Sequence, residues 1–215
     1  IRWRKFCFFG ETALTEKLAP ATINSLAFSP SSTVSLVALQ RYYSPKYDVL
    51  FANAFSESSR NNNEDGVYLG TEIHPYKNWK IAAYADCFSF PWLKYGIDKP
   101  SVGYDLLIQA DYTPTEQTRI YARYKFKQKE DNIANDSTTT PFISDYNRGS
   151  FRYVLQYGIS DKLKLQNTLE GTYSQKASDK PTYGVLLAQD LSYSFTKFPL
   201  SFNLRYEFFD ALNYE

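Results

Sequence analysis

The residues best placed to do chemistry sit in TRIYARYKFKQK, positions 118–129. Arg119, Arg123, Lys125, Lys127 and Lys129 all fall on alternate positions, with Tyr121 the one uncharged member and no acid among them. A row of cations at that spacing can favour anions along a passage, as rings of cations do in phosphate-type pores. The intervening positions hold Ile120, Ala122, Tyr124 and Phe126. A period of two is that of a β-strand, whose successive side chains point to opposite faces. One face of this strand is therefore cationic and the other apolar. Two other readings of the ladder stand beside the passage. In one, Asp105, Asp111 and neighbouring carboxylates neutralise it inside a plugged lumen. In the other, Lys127 and Lys129 sit above a bilayer and hold lipopolysaccharide phosphates.

Other chemistry is thinly supplied. His74 is the sole histidine and precedes Pro75. A Ser–His pair needs a nucleophile and an orienting partner. No nucleophile motif accompanies His74, so it reads as a polar turn residue, and an outer-membrane lipid hydrolase is the minor enzymatic alternative. Asn61-Asn62-Asn63-Glu64-Asp65 offers oxygen ligands but lacks the D-x-D-x-D-G order of a calcium loop, and reads as a solvated loop. No cluster has zinc spacing and no glycine loop cradles phosphate. The expectation is no catalytic residue, no metal and no cofactor. Basic–aromatic alternation can bind single-stranded nucleic acid, but in a strand the cations and the aromatics face opposite ways, so no nucleic-acid partner is expected. In the loop PWLKYGIDKP (91–100), Trp92 and Tyr95 suit either a sugar or protein contact or an interfacial aromatic girdle.

The elements that must position these residues are strands. Net charge is only +1, which argues against a general polyanion-binding surface. Aromatics make up 18% of the chain, led by Tyr, which suits a boundary between water and hydrocarbon. No apolar run approaches the roughly 18 residues of a membrane helix. Cys7 and Cys87 have no metal spacing and read as buried or lipid-facing thiols, with a disulfide as the other option. The opening Ile1-Arg2-Trp3 reads as mature protein or a fragment.

Alternating runs are expected at 66–74, 79–90, 103–113, 117–129, 150–160, 162–175, 183–195 and 200–209. Their breaks are short and rich in turn residues. Earlier strands are placed near 2–9, 11–18, 21–29 and 33–42, with a turn at 29–32. Long polar loops are expected at 43–65, 91–102 and 130–149, and a shorter one at 176–182. Short turns alternating with long loops are the layout of outer-membrane barrels. The fold class expected is all-β: an antiparallel up-and-down transmembrane β-barrel of about 12 strands in a single domain over 1–215. The final DALNYE lacks a terminal aromatic residue, so further strands are expected. The fold-level rival is a soluble β-sandwich.

Register tests the hairpins, because facing residues must share a face. Centring the second on Thr115 sets Ala110 against Ile120, Ile108 against Ala122, Leu106 against Tyr124 and Tyr104 against Phe126. On the other face Asp111 meets Arg119 and Asp105 meets Lys125. Centring the first on Tyr76 sets Ile73 against Trp79, Leu69 against Ala83 and Glu72 against Lys80. Centring the third on Asp161 sets Tyr157 against Leu165 and Arg152 against Glu170. In the fourth, Tyr193 faces Phe202, Leu191 faces Leu204 and Asp190 meets Arg205, while Gln189 interrupts the apolar face. The expected lumen-lining set is Asp105, Asp111, Arg119, Arg123, Lys125, Arg152, Glu170, Asp190, Arg205 and Glu207. The expected lipid-facing set is Tyr104, Leu106, Ile108, Ile120, Tyr124, Phe126, Leu163, Leu165, Phe202 and Leu204.

Three segments, VALQRYYSPKYDVLFANAFSE (37–57), EDGVYLG (64–70) and FPWLKYGIDKPSVGYDLLIQADYTP (90–114), resemble outer-membrane barrel proteins of the Bacteroidota in which a helix-hairpin-helix segment precedes a C-terminal barrel. The resemblance implies an outer-membrane location and a barrel longer than this sequence. No helix-hairpin-helix segment is present, so no DNA-related role carries over. The functional expectation is a channel or transport component with a polar, partly cationic lumen. The alternative is a non-conducting barrel acting as scaffold or partner subunit of a larger outer-membrane assembly. Its expected partners are outer-membrane lipid, lipopolysaccharide and other outer-membrane proteins.

Overall fold

A computed structural model describes residues 2–49, 53–133, 142–196 and 198–211. They form one antiparallel sheet in which every strand pairs with its neighbours in sequence. The strands are β1 (Arg2–Trp3), β2 (Phe6–Leu14), β3 (Pro20–Ser31), β4 (Val34–Tyr43), β5 (Glu64–Ile73), β6 (Trp79–Phe90), β7 (Ser101–Thr115), β8 (Thr118–Ile133), β9 (Phe142–Gly158), β10 (Leu163–Lys176), β11 (Thr182–Ser194) and β12 (Ser201–Ala211). β1 is a two-residue stub, so eleven full strands make the up-and-down sheet. The sheet is open: β1 and β12 share no pairing among the described residues.

The strand bounds refine the sequence reading. At the N-terminus, the expected strands at 2–9 and 11–18 are replaced by the single strand β2, with a turn after it closed by Leu18 N–H donating to the Thr15 carbonyl. The loop expected at 130–149 is mostly strand: β8 and β9 run on until Ile133 pairs with Phe142, and 134–141 lies outside the described residues. At about 3.3 Å per residue these two strands reach roughly 50 Å, well beyond the hydrocarbon thickness of a bilayer.

Two hairpins have the expected register and two do not. β9–β10 sets Tyr157 against Leu165 and Arg152 against Glu170, and β11–β12 sets Asp190 against Arg205, as expected. In β7–β8, Ile108 faces Tyr124 rather than Ala122, and Leu106 faces Phe126. In β5–β6, Ile73 faces Ile81. Both slips are two residues, so every side chain keeps its face and only its partner changes.

A bulge explains the β7–β8 slip. The connection is the two-residue turn Glu116–Gln117, with Thr115 opposite Thr118. Continued unbroken, that register would set even-numbered residues against odd ones and place apolar side chains opposite charged ones. One extra residue between Tyr112 and Thr115 restores the parity. The β3–β4 turn uses the same device between Phe28 and Ser31.

Burial is inverted relative to a water-soluble sheet. The apolar face is exposed, with Ile108 at 52% and Leu204 at 54%. The centre of the ionic face is buried, with Arg41 and Glu64 at 0% and Asp105 and Asp111 nearly so, while its margin toward β12 is exposed. Among the described residues no second layer covers it, so it gains burial by curling inward and by receiving the segment between β4 and β5. A small apolar cluster of Ala13, Ala19, Ala21, Tyr43 and Tyr47 closes the long-loop end beneath β2–β4. Cys7 and Cys87 are both free and exposed, not buried. They lie on opposite faces, since Cys7 faces Ala27 on the ionic side and Cys87 faces Tyr104 on the apolar side, so they form no disulfide with each other.

Candidate functional site: a charged face with an internal strap

Cα pairing carries each face from strand to strand. Asp111 faces Tyr121, Arg119 faces Gln156, and Arg123 faces Arg152, which faces Glu170. Asp190 faces Arg205, and Ala188 faces Glu207. All ten residues expected to line a lumen thus share one face. The ten expected to meet lipid share the other, where Tyr124 faces Phe151, Leu165 faces Leu191 and Leu191 faces Leu204.

The expected ion pairs form even where the register slipped. Arg119 Nη2 lies 2.6 Å from Asp111 Oδ1, diagonally across β7–β8. Lys125 Nζ lies 3.0 Å from Asp105 Oδ2, and Lys127 reaches the same oxygen at 3.8 Å. Lys80 Nζ meets Glu72 Oε2 at 2.9 Å. Arg152 pairs with Glu170 and Arg205 with Asp190, each at 2.6 Å. Long cationic side chains absorb a two-residue slip, because a diagonal neighbour is still within their reach. Within the ladder, Arg119, Lys125 and Lys127 are neutralised, while Arg123 and Lys129 have no ion pair among the described residues.

The centre of the face is a group that pattern reading did not find. Arg41 on β4 donates from Nε to Glu64 Oε1 at 2.6 Å and from Nη1 and Nη2 to both oxygens of Asp86, at 2.7 and 3.2 Å. Glu64 also accepts the backbone N–H groups of Glu57 (2.9 Å) and Ser58 (3.2 Å). Glu57 in turn meets Lys127 at 2.5 Å. Asp86 and Asp105 stand directly opposite each other across β6–β7, and each is held by its own cation. A continuous polar network therefore runs from β4 to β8 through residues 53–63, which act as an internal strap.

The strap is bound at several further points. Phe55 lies under the Arg41 guanidinium at 5.0 Å, and its carbonyl accepts the Tyr43 hydroxyl at 2.8 Å. Asn61 Nδ2 bonds Ser56 Oγ at 2.8 Å, and Asn63 bridges to the backbone of Trp92 through both its amide atoms. Asn61, Asn63 and Glu64 are buried, so the expectation of a solvated loop at 61–65 is corrected for those three. Gly66 makes room for the arrangement, since a Cβ there would stand 2.5 Å from Arg41 Cζ. The sequence held one usable signal for this group: strand parity sets Arg41 on the same face of β4 as Val37, Leu39 and Tyr43. A loop of twenty residues after β4 left its partners undetermined.

Lys127 and Lys129 both lie on the ionic face, near the long-loop end of β8, and Lys127 pairs with Glu57. At the loop end Tyr95 is fully open to solvent and Trp92 is largely exposed. His74 Nε2 lies 3.0 Å from Glu72 Oε1, the carboxylate that also holds Lys80. Among the described residues, no group of three or more His, Cys, Asp or Glu is placed to hold a metal ion. No protein-family model matches the chain, and no curated protein matches it.

Proposed function

We propose that the chain forms the wall of an outer-membrane β-barrel, with its ionic face toward a lumen and its apolar face toward lipid, and that it works as a channel or transport component. The observation that carries this reading is the inversion of burial. Exposed apolar residues line one face from β2 to β12, while the opposite face carries the paired charges and buries those at its centre, Arg41, Glu64, Asp86, Asp105 and Asp111. In water such an exterior would drive aggregation. In hydrocarbon it is the stable arrangement. Hydrocarbon also forbids unpaired backbone groups, so the reading requires the free edges of the sheet to pair with each other or with another strand.

Conductance in planar bilayers tests it. A channel passes current with anion preference, and Arg123→Glu reduces that preference more than Lys125→Glu, because Lys125 is already neutralised by Asp105. Absence of current through the intact protein overturns the channel reading.

A second reading has its own observation. The strap crosses the ionic face and ties β4, β5 and β8 together. This favours a plugged barrel that serves as scaffold or partner subunit in an outer-membrane assembly. On that reading the intact protein is silent, and removal of residues 55–60 opens a current.

A further inference from the structure

At the long-loop end of the ionic face lies a cavity of about 260 Å³, between the strap and the loop that joins β6 to β7. Three carboxylates and two lysines are among its lining groups. The carboxylates are already engaged. Glu57 holds Lys127, Glu130 accepts the Val102 N–H at 2.7 Å, and Asp131 holds Lys176 at 3.2 Å. The lysines are not. Neither Lys94 nor Lys129 has an ion pair among the described residues, and each lies over an aromatic ring, Lys94 over Phe90 at 3.7 Å and Lys129 over Tyr146 at 5.9 Å. Glu130 is held only by a neutral N–H and keeps its charge, so among the described residues two unpaired lysines against one unpaired carboxylate leave the cavity a net positive charge.

A second observation points to a ligand. Ser101, at the start of β7, is 3% exposed and lines the same cavity, and its hydroxyl has no hydrogen-bond partner among the described residues. A buried hydroxyl without a partner costs free energy unless something else satisfies it. Burial also pulls the Lys94 ammonium below the ordinary lysine range, and the nearby Lys129 adds to that shift against the opposing pull of Glu57. A bound anion would relieve that shift. Lysines act as point charges toward phosphate, whereas flat bidentate recognition of carboxylates falls to arginine. Phe88, Phe90 and Ile97 supply an apolar wall beside them.

We propose that this cavity binds a phosphate monoester, with the phosphate between Lys94 and Lys129, a hydrogen bond from Ser101, and the organic part against Phe88, Phe90 and Ile97. The site needs only the folded sheet and its loops, and stands whether or not the lumen conducts.

The test titrates phenyl phosphate into the full chain in detergent micelles, with binding read by calorimetry. Saturable binding is expected, weakened roughly tenfold by Lys94→Gln and by Lys129→Gln. Lys164→Gln, at the short-turn end, should bind as the unaltered protein does. In the unaltered protein, phenyl phosphate should also protect Lys94 and Lys129 from acetylation, read by mass spectrometry, so the test does not depend on the variants folding. Displacement by vesicles of phosphatidic acid identifies a lipid headgroup as the source. Displacement by glucose 6-phosphate but not by vesicles identifies a soluble ester. Absence of saturable binding overturns the proposal, as does undiminished binding by a variant carrying both Lys94→Gln and Lys129→Gln, or equal acetylation with and without phenyl phosphate.

Discussion

At the scale of single residues, Arg41 is the group on which the most contacts depend. It neutralises one of the two carboxylates it holds, and both are buried with it. Arg41→Met leaves Glu64 and Asp86 without their cation and should destabilise the fold by about 3–5 kcal/mol, the cost of leaving a buried charge unpaired. Urea unfolding of the detergent-solubilised protein measures this directly. Exposed pairs such as Arg205–Asp190 should behave differently. Arg205→Met should leave the unfolding midpoint nearly unchanged, since solvent screens that pair. Gly66→Ala tests the same centre from the backbone side. Its added methyl meets the guanidinium, and a loss of about 1–3 kcal/mol is expected from overpacking.

At the scale of elements, the hairpins show what alternation can and cannot specify. Parity was readable because a one-residue slip would expose charge on the apolar face of every strand. A two-residue slip costs no such penalty, so turn geometry decides it. In β9–β10 and β11–β12 the turn centres agreed with the pattern. In β7–β8 a bulge beside a two-residue turn moved the partners, and no residue in PTEQ announced it. Cross-linking resolves the two registers. With Cys7 and Cys87 replaced by Ser, the pair Ile108→Cys and Tyr124→Cys should oxidise readily. The pair Ile108→Cys and Ala122→Cys should not, because diagonal Cβ atoms lie about 7–8 Å apart. Readout is mobility on a non-reducing gel.

At the scale of the whole molecule, the inverted burial makes its own prediction. Ile108 and Leu204 face outward from well-separated strands. If lipid surrounds that face, Ile108→Arg should lower folding stability in bilayers by about 2–4 kcal/mol, the cost of a cation near the midplane. If water surrounds it, the same change should be neutral or improve solubility. Folding yield into vesicles, followed by electrophoretic mobility with and without heating, separates these outcomes.

The sequence by itself determined which residues share a face, because the two-residue period of a strand is a local property and each apolar or charged side chain declares its side. It placed Arg123, Arg152 and Glu170 together, and Ile108, Tyr124 and Leu204 apart from them. It did not determine the Arg41–Glu64–Asp86 centre, the Glu57–Lys127 contact or the path of the strap. Those partners lie 23 to 70 positions apart, and no periodicity spans a loop of that length. Only the curl of the sheet brings β4 and β8 within reach of one segment and lets a single carboxylate, Glu64, bind both the wall and the strap.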